Sequence, residues 1–185
     1  MPEPPSPTGS PDATVGVLLS GGLDSSILLA DLVRGGRRVQ PFFIRSGLFW
    51  QAEELAAARR FLGAVSSPRL AELVLLDLPL GDLYGDHWSV TGKDAPDGTS
   101  PDEAVYLPGR NALLVIKAAL WCQTRSIGEL ALGVLGTSPF DDAKDPFFDR
   151  LEAVLNCPPA RPIRLVRPLA DLDKRAVMEL GQGLP

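Results

Sequence analysis

An α/β fold, built on an open, doubly wound parallel sheet of five strands with helices on both faces, is what this sequence predicts. Three observations carry that expectation. Apolar runs recur along the chain, helix-like stretches separate them, and each run is nearly continuous in Val, Leu, Ile and Phe instead of alternating with polar residues. A strand apolar on both sides is covered on both sides, and an alternating strand–helix order joins parallel neighbours through crossover helices.

The strands are expected at Val15 to Leu19, Val39 to Ile44, Leu73 to Leu78, Leu130 to Leu135 and Ile163 to Val166. The helices fall between them, at Ser25 to Arg34, Phe49 to Leu62, Arg110 to Cys122 and Pro146 to Leu155, with the last at Asp171 to Leu180. Met1 to Pro11, MPEPPSPTGSP, has almost nothing apolar to offset the entropy of ordering, so residues 1–13 are expected as a disordered tail and 14–185 as one domain. Residues 79–107 are rich in Gly, Asp and Pro and lack periodicity; a connection that long is expected to be a functional lid or disordered.

A chain of 185 residues, 45% hydrophobic and 22% charged, is long enough to bury a core. Its net charge of −5 argues against nucleic acid as a partner held by overall charge. With no apolar run of about 18 residues and no signal-like N-terminus, neither a membrane partner nor export is expected, and the reading is a soluble cytoplasmic protein. Cys122 and Cys157 stand outside any C-x-x-C spacing and predict neither a disulfide framework nor a thiolate metal site.

The informative stretch is Leu18-Leu19-Ser20-Gly21-Gly22-Leu23-Asp24-Ser25-Ser26, directly after the first strand. Open parallel sheets bind ligands beyond the carboxyl ends of their strands, and the first strand-to-helix turn supplies backbone N–H groups. Gly21 and Gly22 let the backbone take unusual dihedrals and approach a phosphate, and the helix start draws anions. Asp24 would repel phosphates unless it caps the helix or shares a divalent cation; magnesium at Asp24 resolves that conflict. The plainer alternative is an Asp-capped helix after a Gly turn.

A second cluster, Tyr106-Leu107-Pro108-Gly109-Arg110-Asn111, precedes the helix at Ala112 to Cys122. Arg110 offers a planar fork for phosphate or carboxylate and Asn111 both a donor and an acceptor, so the pair suits a heterocycle and an anion together. Asp141 and Asp142 suit magnesium or an aminopyrimidine edge, although loop Asp pairs also cap turns or face water. Lys174 is either a phosphate ligand or a solvated helix residue, and His87, the sole histidine, is expected as a surface residue more than as a base.

Ser20-Gly21-Gly22-Leu23-Asp24-Ser25 resembles the PP-loop of the ATP pyrophosphatases, enzymes of the adenine nucleotide alpha hydrolase-like (HUP) fold that split ATP between its α and β phosphates. With Y-L-P-G-R-N downstream, and with Leu135-Gly136-Thr137-Ser138-Pro139-Phe140-Asp141-Asp142-Ala143 and Phe147-Phe148 after the fourth strand, the chain resembles the 7-cyano-7-deazaguanine synthase family (QueC) from about Val15 to Pro185. The resemblance implies an ATP-dependent ligase of queuosine biosynthesis. A 7-carboxy-7-deazaguanine carboxylate is adenylated, ammonia displaces AMP to give an amide, and a second adenylation lets the amide dehydrate to the nitrile.

It implies ATP contacts at Leu19, Ser20, Gly21, Gly22, Leu23, Asp24, Ser25 and Ser26. Substrate contacts are implied at Tyr106, Pro108, Gly109, Arg110, Asn111, Ser138, Phe140, Asp141 and Asp142, with catalytic roles for Asp24, Arg110, Asn111 and Lys174. The partners would be a deazapurine carboxylate and ammonia, and the resemblance makes a homodimer reasonable. Family members carry a four-cysteine zinc site beyond the segment matching Leu180 to Pro185; this sequence stops there, so the zinc ligands are expected to be absent, through truncation or natural loss. The alternatives are another adenylating PP-loop enzyme that modifies tRNA, or a nucleotide-binding module impaired by loss of the zinc lobe.

Overall fold

The computed structural model describes residues 13–157 and 161–184, so all of the expected tail except Ala13 lies outside the described residues. Five strands, β1 (Thr14–Leu18), β2 (Arg38–Arg45), β3 (Val74–Asp77), β4 (Glu129–Leu132) and β5 (Arg164–Val166), form one sheet in the order β3-β2-β1-β4-β5. Every pairing is parallel, with Val15 opposite Val39, Val17 opposite Ala131 and Leu130 opposite Leu165. The chain winds outward from β1 to β3, then returns to β4 on the other side of β1. That reversal, between β1 and β4, is where parallel sheets open a crevice for ligands.

Strand periodicity divides the core into two layers. Val15, Val17, Val39, Phe43 and Ala131 face α1 (Leu23–Arg34), α2 (Gln51–Val65) and α7 (Lys174–Leu180), where Ile27, Leu28, Ala58 and Val177 are buried. Phe42, Leu130 and Leu132 face α5 (Arg110–Thr124) and α6 (Asp145–Leu155), packing on Val115, Ala118, Phe148 and Leu151. Gly16 is required on that second face, because a Cβ there would stand 2.9 Å from both Cys122 Sγ and a Phe42 ring carbon.

The sheet and the five long helices stand where the apolar periodicity puts them, with shifted ends. The fourth strand stops at Leu132 instead of Leu135, because Gly133 turns the chain against α1: a Cβ on it would be 2.9 Å from the Ser25 nitrogen. The last helix begins at Lys174 instead of Asp171, since the Asp173 carboxylate accepts the Ala176 N–H at 2.8 Å and fixes the start. Residues 79–107 contain two single-turn helices, α3 (Gly81–Tyr84) and α4 (Trp88–Thr91), and a 3-10 turn at Asp102–Val105. They are tied to the domain by the Phe49 N–H on the Ser89 carbonyl (2.7 Å), and to one another by the Trp88 indole N–H on the Ala104 carbonyl (2.8 Å).

Candidate active site

The glycine bend after β1 is pressed against α2. Gly21 takes φ +79°, and a Cβ on it would stand 2.2 Å from the Glu54 carbonyl oxygen, so both conformation and space demand glycine. Gly22 is the N-cap of α1, in extended conformation with no side-chain cap, which starts the helix at Leu23, two residues before the sequence pattern suggests. The Ser25 and Ser26 hydroxyls fold back to donate to the Gly22 carbonyl at 3.1 and 2.9 Å, and the Ser20 N–H donates to Ser25 Oγ at 3.2 Å.

Leu19 belongs to the core, its N–H donating to the Phe42 carbonyl at 2.8 Å. Among the described residues, the N–H groups of Leu23, Asp24 and Ser25 have no intramolecular acceptor. These first-turn amides, with the helix dipole behind them, attract an anion.

Asp24 does not cap the helix. Its Oδ1 receives a hydrogen bond from Lys174 Nζ at 2.6 Å, which joins the first turns of α1 and α7. The charge conflict raised by a carboxylate beside a phosphate site is therefore answered by an ammonium. Magnesium at Asp24 would have one protein carboxylate to work with: among the described residues no group of three or more His, Cys, Asp or Glu side chains converges. Such an ion would draw its other ligands from phosphate oxygens and water, a pattern typical of magnesium.

Y-L-P-G-R-N and the segment after β4 come together on the other side of the crevice. Tyr106 stacks on Phe140 with ring centroids 5.0 Å apart, and Asn111 Nδ2 donates to the Asp142 carbonyl at 3.2 Å. Between them lies a cavity of about 680 Å³, lined by Tyr106, Gly109, Asp141 and Asp142 and, from α6, by Phe147 and Arg150. Of the expected substrate contacts, Pro108, Arg110, Asn111, Ser138 and Phe140 are not among its lining residues. The Pro108 carbonyl accepts the Tyr84 hydroxyl at 2.9 Å, and the Ser138 N–H closes a turn on the Leu135 carbonyl. Asp141 is exposed, and the hydrogen bond and charge of Lys144, 2.8 Å away, hold its carboxyl below the usual range. Asp142 is the opposite case: burial raises its carboxyl, with Asn111 and Arg110 opposing.

Glu54 is the residue that the sequence pattern missed. Its carbonyl sits against Gly21, while its carboxyl, raised first by loss of solvent and further by Glu53, is pulled back down by Arg110. Tyr84 also feels Arg110, which opposes the burial that raises its hydroxyl. Arg110 thus stands in the field of Glu54, Tyr84 and Asp142, and Glu54 connects the glycine bend to the second motif. The E-E pair in α2 reads from sequence as a solvated helix start, and only the crossing of α2 over Gly21 reveals it. His87 caps α4, its Nδ1 accepting the Ser89 N–H at 3.2 Å. Cys122 is sealed in the core, its thiol pushed up to about 12 chiefly by burial, and Cys157 is exposed at the end of α6.

These features agree with comparisons across known proteins. The family model described as "Queuosine biosynthesis protein QueC" matches residues 14–185. A 7-cyano-7-deazaguanine synthase of Solidesulfovibrio magneticus is 29% identical over 96% of this chain and 79% of its own length. That of Nitratiruptor sp. is 27% identical over 91% of this chain and 78% of its own. In fold, the chain resembles a 4-thiouridine synthetase solved with RNA and bound ATP (TM-score 0.60, 19% identity, 93% of this chain and 40% of that one). It also resembles a predicted tRNA methyltransferase subunit from Methanocaldococcus jannaschii (TM-score 0.57, 18% identity, 91% and 73%). The glycine bend, the arginine-bearing second motif and the doubly wound sheet all lie inside a match that spans nearly the whole chain, which therefore belongs to the QueC family.

Proposed function

We propose that this chain uses ATP to convert a 7-deazaguanine carboxylate to the nitrile, with ammonia as the nitrogen source. The observation that supports the reading is Glu54, whose carbonyl lies against Gly21 while its carboxyl feels Arg110, the residue next to Gly109 in the cavity wall. A volume of about 680 Å³ lies within the range typical of small-molecule sites.

ATP is a consumed substrate here. The amides of Leu23, Asp24 and Ser25 receive its pyrophosphate portion, and Lys174 offsets Asp24 and the charge that builds on the departing pyrophosphate. A substrate carboxylate oxygen attacks the α-phosphorus, the bond to the bridging oxygen breaks, and pyrophosphate leaves. Ammonia adds to the acyl carbon of the acyl adenylate, loses a proton, and expels AMP to leave the amide. The amide oxygen then attacks the α-phosphorus of a second ATP and expels pyrophosphate; loss of AMP and the remaining amide protons forms the nitrile.

No covalent enzyme nucleophile is needed, and the protein contributes positioning and electrostatics. Magnesium, held by Asp24 and phosphate oxygens, would supply further charge stabilisation. Zinc would find no ligand cluster among the described residues.

The test is incubation of the purified protein with ATP, ammonium and 7-carboxy-7-deazaguanine. Substrate-dependent AMP and a product mass matching the nitrile support the reading. ATP binding without AMP in the presence of that substrate overturns it in favour of a nucleotide-binding module.

A further inference from the structure

Two buried side-chain atoms have no hydrogen-bond partner among the described residues: Oδ1 of Asp142, which lines the cavity, and Nε of Arg110, which follows the lining residue Gly109. The other unpartnered buried atoms, Nε of Arg37 and of Arg45, belong to guanidinium groups already paired with Glu129 and Asp77. Asp142 is 8% exposed and is one of the residues that line the cavity, while Asn111 holds its backbone in place. Arg110 and Asp142 influence one another electrostatically, yet no ion pair joins them among the described residues. A buried acceptor and a buried donor that are both left without a partner are costly when empty and complementary to a ligand edge carrying the reverse pair.

From this we propose that Asp142 and Arg110 read the amino-lactam edge of the bound heterocycle. The Asp142 carboxylate accepts from the ring N–H and the adjacent exocyclic amino group, and the Arg110 guanidinium donates to the ring carbonyl. The inference rests on the proposed function and names the specificity residues of that site. It also decides between a base edge and a cation at the Asp141–Asp142 pair. Asp141 is turned to solvent on Lys144, and the two carboxylates join no cluster of metal-ligating side chains among the described residues. Tyr106, stacked on Phe140, gives the cavity an aromatic wall against which a planar ring can lie. A ligand carboxylate beside Asp142 would be repelled, so the substrate's reacting group points away from that residue.

The experiment compares 7-carboxy-7-deazaguanine with its analogue lacking the exocyclic amino group, in the wild-type chain and in Asp142→Asn. Asn presents one acceptor and one donor where the ring needs two acceptors. A site built around that amino group should favour the full substrate in kcat/KM by about a hundredfold or more, and Asp142→Asn should bring the ratio to within about tenfold of unity. Calorimetry with 7-deazaguanine, which lacks the carboxylate, reads the same recognition without turnover. Asp142→Asn should weaken that binding at least about tenfold while leaving ATP affinity unchanged, which also shows that the variant is folded. If the wild type binds 7-deazaguanine in this manner but releases no AMP with the carboxylate, the proposed reaction fails and the edge reading stands. Turnover with the preference for the amino group intact in Asp142→Asn overturns the edge reading alone.

Discussion

Lys174 Nζ lies 2.6 Å from Asp24 Oδ1, closing a contact between residues 150 positions apart in the chain. The pair locks the first turn of the last helix onto the first turn of the first, at the mouth of the amides left free by the glycine bend. Both side chains retain solvent contact, so the pair contributes about 1 kcal/mol or less to stability. Its weight falls on the charge of the site.

Lys174→Ala should therefore melt within a few degrees of the wild type, while substrate-dependent AMP formation falls at least about tenfold because Asp24 is left uncompensated beside the nucleotide phosphates. Thermal denaturation and AMP assays on the same preparation check both halves. An equal loss of stability and rate would assign Lys174 to structure.

Gly21 and Gly36 both adopt positive φ, +79° and +84°, but only Gly21 has backbone in the way. Gly36→Ala meets no atom within 4 Å and should cost about 1 kcal/mol for the left-handed backbone alone. Gly21→Ala must also push the Glu54 carbonyl aside, so its melting temperature should fall further, and ATP affinity, measured by calorimetry, should fall with it. Equal effects of the two substitutions would show that the contact with α2 is slack.

The contrast between those glycines shows how much of the site the sequence could disclose. Gly21 is conspicuous as part of S-G-G-x-D-S, but its partner, the Glu54 carbonyl, belongs to a helix whose crossing is set by the packing of Ala58 and Ile27, not by any local motif. The strands were legible because Val15, Val17, Phe42 and Phe43 are apolar on both faces of the sheet. Their ends were not, since Gly133 stops β4 through a close approach to Ser25 that is a tertiary fact. Asp142 and Asp141 look equivalent in sequence, and a single 3-10 turn buries one and exposes the other.

Asp142 carries a stability consequence with a definite sign. Burial holds its carboxyl above the ordinary aspartate value, so the folded chain keeps that proton more firmly than the unfolded chain does. The resulting stability is fully present below the unfolded value and is lost as the pH rises through the folded one. Asp142→Asn removes this loss. Thermal melts across the carboxylate range should show the variant more stable than the wild type at neutral pH, with the gap shrinking on acidification; a gap independent of pH would contradict the assigned burial.

The two cysteines should behave differently toward an alkylating reagent. Cys122 is buried with its thiol pushed up to about 12, whereas Cys157 is exposed. Mass spectrometry should find Cys157 alone modified in the native protein and both modified after unfolding. Rapid native labelling of Cys122 would mean that the layer between the sheet and α5 is open.

The chemistry proposed for the crevice turns on one step, attack by a substrate carboxylate oxygen on the α-phosphorus of an ATP held at the start of α1, and isotope transfer tests it most directly. With 7-carboxy-7-deazaguanine labelled by oxygen-18 in the carboxylate, AMP released on amide formation should carry one labelled oxygen, because the leaving adenylate takes that atom with it. AMP formed from this labelled substrate in ordinary water without the label would mean that water, not the carboxylate, attacks the nucleotide, and the crevice would not be the site of carboxylate adenylation.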